Sequence, residues 1–129
     1  MAELQVELVA ADRRVWSGPA RMVIAKTTDG DIGVLPRHSP LLGVLLNGTV
    51  QIMTDAPRPV VAAIHGGFLS VSDDQVQILA ELAELAEEID VERARRSLDR
   101  AQAMLASDTD ALAAADRAKA RIRATELAF

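Results

Sequence analysis

The chain has 129 residues, half of them apolar, which suffices for one globular domain or a small domain with an appendage. Its only aromatics are Trp16, Phe68 and Phe129, so the core must be built from Val, Ile, Leu and Ala, and the aromatic platforms that bind sugars or single-stranded nucleic acid are missing. The formal charge of −5 divides into an acidic body, with six Lys/Arg against thirteen Asp/Glu in residues 1–90, and a tail with eight against six, short of a nucleic-acid binder's basic excess; the lack of cysteine removes disulfides and thiolate metal sites.

The start, MAELQVELVA, carries Glu3 and no basic region, so it does not read as a signal peptide. No apolar run approaches the roughly 18 residues of a membrane helix, so any membrane association must come through a partner. Residues 4–9 (LQVELV) alternate, with Leu4, Val6 and Leu8 on one face, and predict a strand. Further strands are predicted over 21–27, 49–54, 60–64, 68–71 and 76–79. Turn signals separate them: Ser17-Gly18-Pro19, Asp29-Gly30, Asn47-Gly48, 57–59, Gly66-Gly67 and 72–74. Strands recurring every 8–12 residues without helices between them indicate an antiparallel sandwich or barrel.

Near Leu82 the pattern changes. Gly and Pro vanish, and Ala, Glu and Arg dominate. Val91, Ala94, Leu98, Ala101 and Leu105 share one helix face. Ser107, Asp108, Thr109 and Asp110 break that stripe with capping residues, and Ala111, Ala115, Ala118, Ile122, Thr125 and Phe129 form a second. Two helices joined by a short polar link predict an antiparallel hairpin. The fold class is therefore α+β: an N-terminal antiparallel β-sandwich over residues 1–84, then a C-terminal helical hairpin over 85–129. Alanine faces bury little area, and at ~25 cal/mol per Å² they stabilise weakly, so the hairpin is expected to be the labile part.

Three segments carry a family resemblance. GDIGVLPRHSPLL (residues 30–42), GGFLSV (66–71) and VQILAELAE (76–84) resemble, in order and spacing, signatures of epsilon subunits of bacterial F-type ATP synthases, with the hairpin following in place. Arg37 departs from the pattern, standing where many members have glycine. The resemblance implies a non-catalytic rotor subunit at the cytoplasmic face of the membrane. Its sandwich would bind the gamma shaft and rest on the c-subunit ring. Its hairpin would lie folded on the sandwich or extend to the catalytic alpha/beta head and block ATP hydrolysis.

By the same resemblance, Asp31 faces the polar loops of the c ring and His38 lies at the shaft-facing surface. From the residues alone, Asp31 is equally an ordinary turn residue, and His38, between Pro36 and Pro40, a loop histidine bonded to nearby backbone. Ser39 is too close to His38 in sequence to serve as its nucleophile partner, and no third group is evident. His65 has no evident partner, and two histidines without cysteine argue against a zinc site. Gly66-Gly67 lacks the Lys-Ser/Thr and helix of a phosphate loop, leaving a backbone role. EIDVERA (88–94) matches the family's nucleotide motif through Ile89, Asp90, Arg93 and Ala94, with Glu84 upstream and Arg117 and Arg121 downstream. Arg117 and Arg121, four apart on one helix face, would join Arg93 in clamping phosphate oxygens, while Asp90 and Glu84 orient the base. The alternative for Asp90 is an N-cap, and for Arg93 a surface pair with Glu88 or Asp99. No cofactor is required; ATP is a candidate regulatory ligand.

Two other functions compete with the rotor reading. One is a free-standing ATP-binding sensor. The other is a nucleic-acid adaptor using Arg95, Arg96, Arg100, Lys119 and Arg123, against which Asp99, Asp116 and the acidic body argue.

Overall fold

The computed structural model describes residues 3–104 and 109–128. Met1, Ala2, Leu105, Ala106, Ser107, Asp108 and Phe129 therefore lie outside the described residues. The elements are β1 (Leu4–Ala10), β2 (Arg14–Ala20), β3 (Met22–Thr27), β4 (Gly30–Val34), β5 (Leu41–Met53), β6 (Val60–Ser72), β7 (Gln75–Leu85), a 3-10 turn (Ala86–Glu88), α1 (Val91–Met104) and α2 (Thr109–Ala128).

The strands form one continuous ladder, β2-β1-β7-β6-β5-β3-β4. Every pair is antiparallel except β1 with β7. In a flat sheet, β1 and β4 at this separation would lie about 24 Å apart, at ~4.8 Å per strand. Yet Leu4, Val6 and Leu8 of β1 share one buried cluster with Val23 and Ala25 of β3 and Val34 of β4. The sheet must fold back on itself, and the result is a β-sandwich with that cluster between its layers.

The long strands β5, β6 and β7 supply the fold-back. Pairing of β5 with β6 is interrupted between Leu45↔Gly67 and Gly48↔Ile64, and β6 with β7 between His65↔Leu82 and Gly67↔Ala80. Gly66 and Gly67 sit at that interruption with φ of 77° and 145°. A Cβ on Gly67 would meet the Leu79 carbonyl oxygen at 2.1 Å, so only glycine fits there. The two glycines also exchange the strand's faces. Before them the even residues Ala62 and Ile64 enter the sandwich core; after them the odd residues Leu69 and Val71 do.

Several expected turns are therefore strand. Gly66-Gly67 and Asn47-Gly48 lie inside β6 and β5, and Ser17-Gly18-Pro19 lies inside β2, which is tolerable because β2 is an edge and Pro19 needs no inner partner. β2 and β4 were not predicted, and β5, β6 and β7 run longer than their apolar cores suggested. The turn signals at Asp29-Gly30, 57–59 and 72–74 do fall at turns, which span 28–29, 54–59 and 73–74, with Gly30 and Ser72 already in β4 and β6. Thr27, buried, donates to the Gly30 carbonyl and accepts from the Asp29 N–H, closing the first of them. Asp73 and Asp74 take positive φ to close the last.

The hairpin lies against the sandwich. Its first half-strand partner, 61–65 of β6, is buried on both faces: Ala62 and Ile64 point inward, while Val61 and Ala63 pack with Ala120 and Ala124 of α2 and with Ala86. Continuous apolar character over residues 60–64 follows from double coverage. Ala94 and Ala101 are the buried residues of α1, and Ala111, Ala115 and Ala118 are buried in α2. The expected alanine seam is present. The sequence reading assigned α2 one apolar face, whereas Ala120 and Ala124 provide a second, directed at the sheet.

Candidate functional site

The linker that carries the EIDVERA motif is pinned at both ends. Glu88 accepts from Arg13 Nη2 at 2.9 Å and from the Leu85 N–H at 3.1 Å, tying the linker to the β1–β2 turn. The Arg13 guanidinium holds the Glu88 carboxyl below its ordinary value. Asp90 caps α1, its Oδ1 accepting from the Arg93 N–H at 3.1 Å, as the N-cap reading anticipated. Ile89 packs against the Val61–Ala124 cluster and Ala94 is buried. Within the motif, Asp90, Ile89 and Ala94 thus hold the linker's shape.

These residues line a cleft of about 290 Å³ together with Glu84, Glu88, Arg93, Ser97 and Arg121. That is near the lower end of small-molecule sites, roughly 300–1,000 Å³. The cleft gathers side chains from β7, the linker, α1 and α2, so it exists only with the hairpin docked. Arg93 is exposed and has no ion pair among the described residues, Glu88 being taken by Arg13. Arg121 is engaged: its Nε donates to Glu84 Oε1 at 2.6 Å, with both side chains about three-quarters buried. Arg117 does not join this cleft. It lines a neighbouring one with Glu81, Leu82 and His65. Four residues advance the helix by about 6 Å along its axis, which sets Arg117 one turn away from the linker.

His65 is the member that sequence reasoning missed. It is 5% exposed and its Nε2 lies 3.1 Å from Glu84 Oε1, the oxygen that also binds Arg121. The signal was present in the period of two: residues 61, 63 and 65 share the face of β6 that α2 covers, and Ala63 stands opposite Glu84.

A second feature is apolar and exposed. Val44, Phe68 and Leu79 are cross-strand neighbours on β5, β6 and β7, exposed by 46%, 53% and 52%. Leu42 and Leu46, two residues either side of Val44, extend the row on the same face. His38 lies in the loop before β5, half-buried, its Nδ1 2.7 Å from the Ser39 carbonyl oxygen. Arg37 next to it has φ of 70°, the conformation glycine prefers, and its N–H donates to Asp74 Oδ1 at 2.6 Å. Asp31 is exposed on β4 opposite Lys26, beside Asp116, Lys119 and Arg123 of α2.

The sequence model of the ATP synthase, Delta/Epsilon chain, beta-sandwich domain matches residues 3–86. The chain belongs to the ATP synthase epsilon family. Relatives named ATP synthase epsilon chain include one from Streptomyces griseus, 61% identical over 123 residues and covering 95% of each chain. Another, from Rhodococcus opacus, is 54% identical over 129 residues, covering 99% of this chain and 100% of its own. Among solved structures, a chain of the Euglena gracilis mitochondrial ATP synthase OSCP/F1/c-ring assembly superposes with TM-score 0.76 at 25% identity, covering 98% of this chain and 79% of that one. A chain of the Tetrahymena thermophila mitochondrial ATP synthase central stalk and c ring shares the fold, with TM-score 0.61 at 20% identity over 96% and 92%. The epsilon family accounts for the order of sandwich and hairpin, and places the chain as a subunit of ATP synthase. None of the described helices is long and apolar enough to cross a membrane.

Proposed function

We propose that this epsilon-family chain is a non-catalytic central-stalk subunit of the proton-translocating F-type synthase, coupling the gamma shaft to the c ring and restraining ATP hydrolysis through its hairpin. The observation that carries the regulatory half is the docking interface. α2 meets the sandwich through alanines and one partly exposed arginine–carboxylate bridge, with Ala120 and Ala124 over Val61 and Ala63 and Arg121 on Glu84. Alanine contacts contribute little area, so the docked position is shallow and a partner of modest affinity can displace it. Undocked, the hairpin would reach the catalytic alpha/beta head.

The row Leu42, Val44, Phe68, Leu79 supports the gamma contact, since contiguous apolar exposure with a large aromatic at its centre suits a protein interface. Asp31 and His38 are offered to the c ring and the shaft. Residues 1–84 form the rotor-binding unit and 85–129 the regulatory one. The subunit would sit peripherally at the cytoplasmic membrane face, held there by the c ring. Catalysis would rest with other subunits: His38 meets the Ser39 carbonyl, not its hydroxyl, so these neighbours form no nucleophile–base pair.

ATP is the proposed regulatory ligand of the docked state, with Arg93 and Arg121 toward phosphates and Asp90 and Glu84 orienting the nucleotide. Arg117, one turn away, would reach the phosphates only after reorientation. The test is isolation of the complex from solubilised membranes through a tag on this chain. Gamma and c subunits should accompany it, and deletion of residues 91–129 should raise hydrolysis. Recovery of the chain without gamma refutes the structural half; unchanged hydrolysis refutes the regulatory half. Calorimetry showing no heat at millimolar ATP refutes the ligand.

A further inference from the structure

Glu84 does two things with one oxygen. Oε1 accepts Arg121 Nε from α2 at 2.6 Å and lies 3.1 Å from His65 Nε2 on β6. A carboxylate oxygen needs a donor, so the neutral ring carries its proton on Nε2. Nδ1 is then left as the bare nitrogen. It is buried and has no hydrogen-bond partner among the described residues. The charged groups facing the ring are Glu84 and Glu81 from β7 and Arg117 and Arg121 from α2; β5 presents only Leu45, Leu46 and Asn47.

We propose that His65 is a proton-binding site linked to the position of the hairpin, with proton uptake favouring the undocked state. In the docked state a second proton would create a buried N–H at Nδ1 with no acceptor, beside two guanidiniums. Undocking carries Arg117 and Arg121 away with α2 and opens the ring to water. Glu84 remains, because the β6–β7 ladder holds it next to His65 through Ala63↔Glu84 and His65↔Leu82. The undocked site is thus the better host for an imidazolium on every count.

The direction of titration agrees. Burial, then Arg121 and Arg117, lowers the docked ring below its ordinary 6.5, against an opposing pull from Glu84. A folded value below the free value means the docked state binds fewer protons. Docking is therefore fully favoured above about 6.5 and weakens as pH falls below it, by up to about tenfold in the docked-to-undocked ratio per pH unit. The inference rests on the two-position hairpin proposed above. Acidification of the compartment facing the sandwich would then release the hairpin toward its restraining position.

The test uses the full chain in solution by NMR, following the His65 ring and the exchange protection of α2 amides from pH 8 to pH 5. Expected are a ring that titrates below its ordinary value while α2 is docked, and a docked ratio that falls by up to about tenfold per pH unit below ~6.5. His65→Gln, which keeps an N–H for Glu84 and cannot take a proton, should flatten that fall. A pH-independent docked ratio in the natural chain overturns the inference, as does a His65→Gln variant with the natural slope. Should that variant not fold, a docked ring titrating at or above 6.5 overturns it alone. Arg121→Ala separates the two readings. If it undocks α2 while pH does not, only the His65 inference fails; if neither undocks α2, the two-position hairpin fails first.

Discussion

Substituting Ala124 by leucine tests the two-position hairpin at its tightest point. Ala124 is 0% exposed, against Val61 and Ala63 on β6 with Ala120 one turn before it. It belongs to the hairpin-facing cluster and to none of the sandwich core. Three added carbons have no space in the docked state and meet water in the undocked one. Overpacking of this size costs about 1–3 kcal/mol, and here the cost falls on docking alone. The docked-to-undocked ratio should drop about 5- to 150-fold. Amide exchange of α2 should accelerate by the same factor, while β1, β6 and β7 keep their protection. In the assembled enzyme, hydrolysis should fall, because the freed hairpin reaches the head more often. Arg95→Ala is the control: its pair with Glu92 is exposed at 3.5 Å, and such pairs contribute ~0–1 kcal/mol at most. If Ala124→Leu leaves α2 exchange unchanged, the docked hairpin is not poised. If it unfolds the sandwich, the hairpin is an integral layer of the domain.

Three further outcomes follow from separate parts of the structure. Gly67→Ala should cost at least about 3 kcal/mol by chemical denaturation, because its Cβ would lie 2.1 Å from the Leu79 oxygen at a φ of 145°; a loss under ~1 kcal/mol would contradict the close approach. Phe68→Glu should leave stability within about 0.5 kcal/mol yet weaken binding to gamma roughly 30-fold or more, measured by surface plasmon resonance; an unchanged affinity removes the Val44–Phe68–Leu79 row from the interface. Arg93→Ala should weaken ATP binding by ~10- to 150-fold, the value of a hydrogen bond to a charged group, with the melting temperature of the sandwich unchanged; equal affinity in calorimetry would assign Arg93 to solvent.

Much of the architecture was legible because it rests on local rules. Alternation in LQVELV places Leu4, Val6 and Leu8 in the core. The Ala-, Glu- and Arg-rich run that follows Leu82 marks the passage from sheet to helix, and Asp90 announces α1 by its capping chemistry. The three signatures and the linker motif pointed to the family and to Glu84, Ile89, Asp90, Arg93, Ala94 and Arg121, which the fold gathers at one cleft.

The tertiary structure decided what local rules cannot express. Gly66-Gly67 encodes a tolerance for unusual backbone, and that tolerance serves a hairpin turn or a bend within a long strand equally well; only the pairing of β6 with β5 and β7 selects the bend. The second apolar face of α2 was hidden because alanine lines both sides of the helix and gives no contrast by which a face is read. Arg117 and Arg121 look equivalent in sequence, yet in the docked hairpin Arg121 lines the linker cleft and Arg117 the neighbouring one beside His65. His65 itself carries no motif. Its chemistry arises from burial under α2 and from a carboxylate nineteen residues away, and a buried environment is made by the whole fold, never by the residue it surrounds.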